Sequence, residues 1–204
     1  MAEDKCGGIS GERLKALVRE VYSKAARGET VGVPFPVGRS FALEVGYPAE
    51  LLDSLPAAAV ESFAGIWPVS VRADLAAGQS VLDIGCGAGL DALIAARRTG
   101  GRVAGVDFSE AMLERAREAA TEAGLPVEFE LCEAGELPFE PGSFDALLAN
   151  GVLNLNPDRK RLVAEMARVL KPGGRLWGAE IVSEALAEGE EATGAACSLQ
   201  DWFR

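Results

Sequence analysis

Val81-Leu-Asp-Ile-Gly-Cys-Gly-Ala-Gly-Leu-Asp91 is the stretch whose reading decides the fold. A short apolar run carrying one acid, Asp83, ends in Gly85, Gly87 and Gly89 at alternate positions. Glycines there permit positive φ and let the backbone come close to a ligand. The helix expected to open after them offers unpaired N–H groups to an anion or a carboxylate. A tight turn with no ligand would use the same glycines, so the loop alone does not assign a function.

Outward from this loop the chain alternates short apolar strands with amphipathic helices. The strands read as Val81–Ile84, Val103–Val106, Val127–Leu131, Phe144–Ala149 and Arg175–Val182. Helices are expected at Leu90–Arg98, Glu110–Ala123 and Pro157–Leu170. The last is the best marked, with Asn156 as cap and Pro157 in the first turn. Leu162, Val163, Met166, Val169 and Leu170 give it an inward face, and Lys171-Pro-Gly-Gly stops it. Strands and helices in this order imply right-handed βαβ units and an α/β fold with a doubly wound parallel sheet.

Upstream the pattern is helical. Ser10 is placed to cap a helix whose face is Leu14, Leu17, Val18, Val21 and Tyr22. A Gly/Pro-rich loop follows from Gly28 to Gly38. Beyond it, residues 48–67 suggest one or two short helices packed by Leu51, Leu52, Leu55, Val60, Phe63 and Ile66. The organisation expected is an N-terminal helical or lid segment, 1–75, followed by a Rossmann-like core, 76–204.

The 204 residues, 49% apolar and 25% charged, suffice for one such domain with an accessory segment. A net charge of −11 opposes binding to a phosphate backbone, so no nucleic-acid partner is expected. No window approaches the roughly 18 uninterrupted apolar residues of a membrane span. The N-terminus has no signal-peptide core, and the expected location is cytoplasmic. The acidic stretch 184–194 reads as a solvated helix or loop. The four cysteines, Cys6, Cys86, Cys132 and Cys197, are scattered and there is no histidine. No metal site is expected, and Ser–His or Cys–His nucleophiles are excluded for lack of the base.

The second strand ends in Asp107, eighteen residues beyond Gly89. An acid at that strand end can accept both hydroxyls of a ribose. The candidates are then a nicotinamide or flavin dinucleotide and S-adenosylmethionine. The dinucleotide fingerprint wants its third glycine or alanine three residues after the second, and position 90 is leucine. Asp83 also breaks the apolar run that normally leads into that fingerprint. A carboxylate there can instead help hold the amino group of a methionine moiety.

"VLDIGCGAGLD", "GVDFSEAMLERA", "ELPFEPGSFDALLAN" and "RVLKPGGRL" resemble the successive motifs of class I S-adenosylmethionine-dependent methyltransferases. "ANGVLNLNPDRKRLVAEMARVLKPGGRL", with upstream "FPVGRSFALEVGYP", is similar to the arsenite methyltransferase-like branch. The resemblance implies a sheet of order 3-2-1-4-5, S-adenosylmethionine as cofactor, S-adenosylhomocysteine as product and a small-molecule acceptor. It implies that Asp83, Gly85, Cys86, Gly87 and Gly89 surround the methionine end. Asp107 would take the ribose, and Phe108 the adenine, with Met112, Glu133 and Ala134 around it. Tyr22 would close over the cofactor. Asn150 and Asn154 would stand near the methyl and the acceptor as the catalytic candidates.

Two departures bear on the acceptor. Arsenite methylators of this branch carry a cysteine where this chain has Gly151, and Cys197 matches a second family cysteine only after a slip of several residues. A three-thiolate arsenic site is therefore not expected. The family sheet also ends with strands 6 and 7, whereas this sequence reaches Arg204 where the preceding helix should run. Those strands are expected to be missing. The open edge this would leave suggests a homodimer. With no histidine and with amides at the pocket mouth, a soft or already deprotonated acceptor is favoured, a thiol or a metalloid species. A cofactor-binding protein without turnover is the alternative, and a nicotinamide oxidoreductase the more distant one.

Overall fold

The computed structural model describes residues 11–29, 33–133, 135–156 and 158–181. Cys6, Ser10, the side chain of Leu14, Ala134, Pro157, Val182, the acidic stretch 184–194 and Cys197 lie outside the described residues. So do the expectations for strands 6 and 7.

In chain order the upstream helices are α1 (Gly11–Ala26), α2 (Arg39–Glu44), α3 (Ala49–Asp53), α4 (Ala57–Glu61) and α5 (Val69–Arg72). The core then alternates β1 (Val81–Ile84), α6 (Leu90–Thr99), β2 (Val103–Asp107), α7 (Glu110–Ala123) and β3 (Val127–Leu131). It closes with β4 (Phe144–Asn150), α8 (Arg159–Val169) and β5 (Leu170–Ala179). The five strands form one parallel sheet of order β3-β2-β1-β4-β5, the order that the family resemblance implied. The order reverses between β1 and β4, and that switch point positions the site.

The central strands are buried on both faces because helices cover both faces. On one face Leu82, Ile84, Ala104, Val106 and Leu147 pack against Leu162, Met166 and Val169 of α8. On the other, Val81, Val103, Ala146 and Leu148 pack against Ala92, Ala95 and Ala96 of α6 and against Val69 and Ala73. The upstream helices share this core. Ala42, Tyr47, Leu52, Val60 and Phe63 form one cluster with Leu90, Leu93, Ile94, Ala119 and Ala120. α1 docks through Ala25 and Ala26 beside Ala88 and Met112, which brings Tyr22 over the glycine loop. Truncating a fully buried side chain such as Leu93 to alanine would cost about 2–5 kcal/mol.

Several local readings need correction. α8 is capped by Asp158, whose carboxylate accepts the Arg161 N–H at 3.1 Å, and not by Asn156. Asn156 instead makes its own turn, accepting the Asp158 N–H at 2.8 Å. Two cap-forming residues stood two apart, and the later one wins because the helix starts at Arg159. Val163 is half exposed, since the buried stripe of α8 is Leu162, Met166 and Val169. β5 begins at Leu170, not Arg175. Leu170 already pairs with Phe144, and Lys171–Gly174 are taken up as an irregularity before Arg175 pairs with Ala146. α2 and α5, of six and four residues, were not anticipated because neither is long enough to show a helical period.

Among the described residues no helix is long and apolar enough to cross a membrane. β5 pairs with β4 alone among them.

Candidate cofactor and acceptor site

A cavity of about 290 Å³ opens at the carboxyl ends of β1, β2 and β4, roofed by α1. That is near the lower end of small-ligand sites, roughly 300–1,000 Å³. It brings together Tyr22, Asp83, Gly85, Cys86, Gly87, Asp107, Phe108, Met112, Glu133 and Asn150, all anticipated from the sequence. Gly89 and Asn154 do not line it. Gly89, at φ +85°, caps α6, and a Cβ there would meet Phe129 and Ala116 at 3.1 and 3.2 Å, so its smallness serves helix packing. Asn154 turns toward the end of β5: its N–H donates to Glu180 Oε2 at 2.7 Å and its amide to the Ile181 carbonyl.

The glycine loop adopts its shape for two reasons. Gly85 (φ +69°) lies against Val152, where a Cβ would come within 2.6 Å of a methyl group. Gly87 (φ +52°) turns its N–H onto Asp107 Oδ2 at 2.8 Å. Asp107 Oδ1 accepts the Ser109 N–H at 2.9 Å, so the carboxylate is oriented at the cavity wall. Burial pushes its pKa up to about 6, in spite of the backbone N–H bonds from Ser109, Gly87 and Phe108.

Asp83 differs from Asp107 in one respect that matters. Among the described residues its Oδ2 is buried with no hydrogen-bond partner. Burial, with the carboxylates of Asp91 and Asp107 close by, holds its pKa well above the usual carboxylate range, offset in part by the Ala92 N–H. An unpartnered buried acid is costly unless a cation or donor completes it. The methionine ammonium and the sulfonium of S-adenosylmethionine would bring positive charge to this wall. The residues present therefore fit that group.

The remaining carboxylate, Asp91, was not anticipated as part of the site. Its Oδ1 accepts Tyr47 Oη–H at 2.7 Å, Ser70 N–H at 3.1 Å and Ser70 Oγ–H. Its Oδ2 accepts Asn150 Nδ2–H at 2.9 Å. Asn150 also donates Nδ2–H to the Trp67 carbonyl at 2.7 Å, and its Oδ1 accepts Ile66 N–H at 2.8 Å and Trp67 N–H at 3.3 Å. The Asn150 amide borders the cavity, but its hydrogen bonds go to the fold.

The apolar roof and the cavity mouth complete the picture. Tyr22 lies 5.1 Å from Phe35 and edge-on to Phe108 at 6.0 Å between ring centroids. Burial and the nearby Asp107 and Glu180 keep its hydroxyl protonated, with its pKa raised above the ordinary tyrosine value. At the mouth Arg19 pairs with Glu133, and Arg161 with Glu136, each at 3.3 Å. Cys86 is buried beside Asp107 and Asp83, and burial first, then those charges, push its thiol far up. Cys132 is pushed up to about 11 by burial and surrounding glutamates. Neither thiol is a thiolate at neutral pH. Gly151 lines the cavity at φ +75°, a conformation a cysteine would adopt only under strain.

Comparison with known proteins bears on the domain that carries this cavity. Residues 81–174 match the family model described as a methyltransferase domain. A methyltransferase of Streptomyces halstedii, GfsG, is 46% identical over 113 residues, covering 54% of this chain and 41% of its own. The arsenic(III) S-adenosylmethionine methyltransferase of Chlamydomonas reinhardtii, CrArsM, is 31% identical at a TM-score of 0.54, over 71% of this chain and 49% of that one. The [4+2]-cyclase SpnF is 30% identical at a TM-score of 0.56, over 83% of this chain and 58% of that one. The chain thus spans about half the length of these relatives. With its sheet order, its glycine loop and the acids Asp83 and Asp107, the segment from Val81 to Gly174 matches a methyltransferase domain and is similar to S-adenosylmethionine-dependent methyltransferases.

Proposed function

We propose that this chain transfers a methyl group from S-adenosylmethionine to a small-molecule acceptor of soft or already deprotonated character, a thiol or a metalloid species. The observation that carries the reading is the unpartnered, buried Asp83 oxygen at the head of the glycine loop. Asp83 would hold the methionine end, Asp107 the ribose, and Phe108 and Met112 the adenine side, with Tyr22 closing over them. When bound, the cofactor supplies an electrophilic methyl on a sulfonium.

Among the described residues the lining carboxylates of Glu133 and Glu136 are engaged in ion pairs and that of Asp158 caps α8, so the residues here chiefly orient and enclose. The Asn150 amide is bonded to Asp91 and to the Ile66–Trp67 backbone, and both cavity thiols stay protonated. Orientation and avoided solvent reorganisation can account for about 7–11 kcal/mol of a bimolecular barrier, so enclosure is a sufficient contribution for a good nucleophile. An acceptor with a poorly acidic proton would need a base as well.

A second reading, cofactor binding without methyl transfer, is favoured by one observation. Of the two catalytic candidates, Asn154 lies off the cavity and Asn150 is engaged in the fold. The likeness to a [4+2]-cyclase supports it too, since that scaffold supports other chemistry. The two readings separate on incubation with methyl-labelled S-adenosylmethionine and a panel of thiols, arsenite, phenols and alcohols, followed by mass spectrometry. Label on a thiol or on arsenic supports methyl transfer to a soft acceptor. Label on an alcohol alone sinks the soft-acceptor assignment. No label on any of them, with S-adenosylhomocysteine still bound, supports the binding protein.

A further inference from the structure

The segment Gly65–Trp67 forms a wall of the cavity through Gly65, and its backbone is held by the side chains of Asn150 and, at the Trp67 carbonyl, Tyr47. Asn150, the last residue of β4, grips Ile66 and Trp67 by their N–H groups and Trp67 by its carbonyl. The same amide is gripped in turn by Asp91, two residues past Gly89 in the first turn of α6. Asp91 is itself fixed from the far side by Tyr47 and Ser70. The path from cofactor loop to wall is thus a chain of direct hydrogen bonds: α6 first turn, Asp91 Oδ2, Asn150 Nδ2, Asn150 Oδ1, Ile66 N–H.

Sterics sharpen the path. A Cβ built on Gly65 would fall inside contact distance of the Asn150 amide, which has no freedom to move away because four hydrogen bonds hold it. The backbone of Gly65 is not in the left-handed region, so glycine is used here for approach and not for conformation. The members of this network stand 44, 21 and 59 residues from Asp91 in sequence, yet all converge on its one carboxylate.

We infer that Asp91 and Asn150 are a positioning pair that couples occupancy of the glycine loop to the placement of the Gly65–Trp67 wall, the side of the cavity left to the acceptor. The inference rests on the proposed cofactor site. A ligand that holds Gly85–Gly87 restrains the first turn of α6, and Asp91 passes that restraint to Asn150. The wall is then ordered before an acceptor arrives. Asn150 acts through the wall and not on the reacting atoms.

Hydrogen exchange of the Ile66 and Trp67 amides, followed by NMR with and without saturating S-adenosylhomocysteine, tests this. The expected result is exchange slowed about tenfold or more at both amides in the unmodified protein, since Trp67 is exposed and Ile66 only half-buried and a bound ligand suppresses local opening of the segment. Asn150→Asp sets two carboxylates face to face and should abolish the slowing. The reciprocal pair Asp91→Asn with Asn150→Asp restores a donor facing an acceptor between the two residues but not the bond to the Trp67 carbonyl, and should bring the slowing back in part at the Ile66 amide. Gly65→Ala, which displaces the amide sterically, should abolish it again. Binding of S-adenosylhomocysteine, confirmed by calorimetry, without slowed exchange at these amides overturns the coupling. Slowing that survives in Asn150→Asp also overturns it. If the single variant does not fold, the unmodified protein and the reciprocal pair decide the question. Absence of calorimetric binding would instead count against the cofactor site itself.

Discussion

Asp83 and Asp145 sit on adjacent parallel strands, at opposite ends of the same sheet, and meet opposite fates. Asp145, near the start of β4, accepts Ser80 Oγ–H at 2.6 Å and Ser80 N–H at 2.9 Å, and pairs with Lys171 Nζ at 2.8 Å. Those bonds hold its carboxyl down at about 2. Asp83, at the end of β1, has an oxygen with no partner among the described residues and a pKa driven upward by burial. One end of the sheet is electrostatically finished and the other is not. The finished end holds the fold. The unfinished end is where a ligand can still gain free energy by completing it, which is the signature expected of a functional site.

The largest effect should come from the unfinished end. Asp107→Ala removes the acceptor for Gly87 and Ser109 and the proposed ribose contact. Two charge-assisted hydrogen bonds amount to about 3 kcal/mol or more, so S-adenosylhomocysteine affinity should fall about 100-fold. Circular dichroism should show the fold retained, because relief of a buried carboxylate offsets part of the lost N–H bonds. Unchanged affinity would remove the ribose assignment.

The same contrast has a pH signature. The folded pKa of Asp107, about 6, lies above the ordinary value of 3.8. Its contribution to stability is therefore whole below pH 3.8 and is lost as pH rises through about 6, by about 3 kcal/mol. Asp145 runs the other way: its contribution is present above 3.8 and is lost as pH falls through about 2. The ligand-free protein should melt several degrees higher at pH 5 than at pH 7.5, and Asp107→Asn should reduce that difference, with Asp83, whose carboxyl is also raised by burial, contributing the rest in the same direction. A melting temperature that climbs from pH 5 to 7.5 in the ligand-free protein would contradict the assignment.

Gly151→Ala probes the acceptor side. The added methyl has room, meeting only Ile66 at 3.9 Å, but the φ of +75° should cost about 1–2 kcal/mol of stability with little change in S-adenosylhomocysteine affinity. A loss of affinity equal to that of Asp107→Ala would place Gly151 on the cofactor side instead. The smallest effect belongs to the finished end. Lys171→Met should lower stability by about 1 kcal/mol or less, because the pair is partly solvated, and leave ligand affinity alone. Denaturant titration and calorimetry on the same samples check both parts.

What could be read from the residues follows the range of the signal. β1 and β3 fall where the apolar runs predicted, and Asp83, Asp107 and the glycine loop are legible because strand, turn and helix are contiguous. α2 and α5 are too short to show a period. The Asp91 network is invisible in sequence because Tyr47, Ser70 and Asn150 meet only when the upstream helices pack on α6. Asn154 misled for a similar reason. Its loop curls toward Glu180, a contact across 26 residues that no local pattern announces.

The most direct test is calorimetric titration of S-adenosylhomocysteine into the unmodified protein and into Asp83→Asn at pH 7.5. If Asp83 waits for the methionine ammonium, the unmodified protein binds one equivalent. The variant then binds about tenfold or more weakly, and melts at the same temperature or higher without ligand. Equal affinity in the two proteins, or no binding by the unmodified protein where a nicotinamide dinucleotide does bind, would contradict the account.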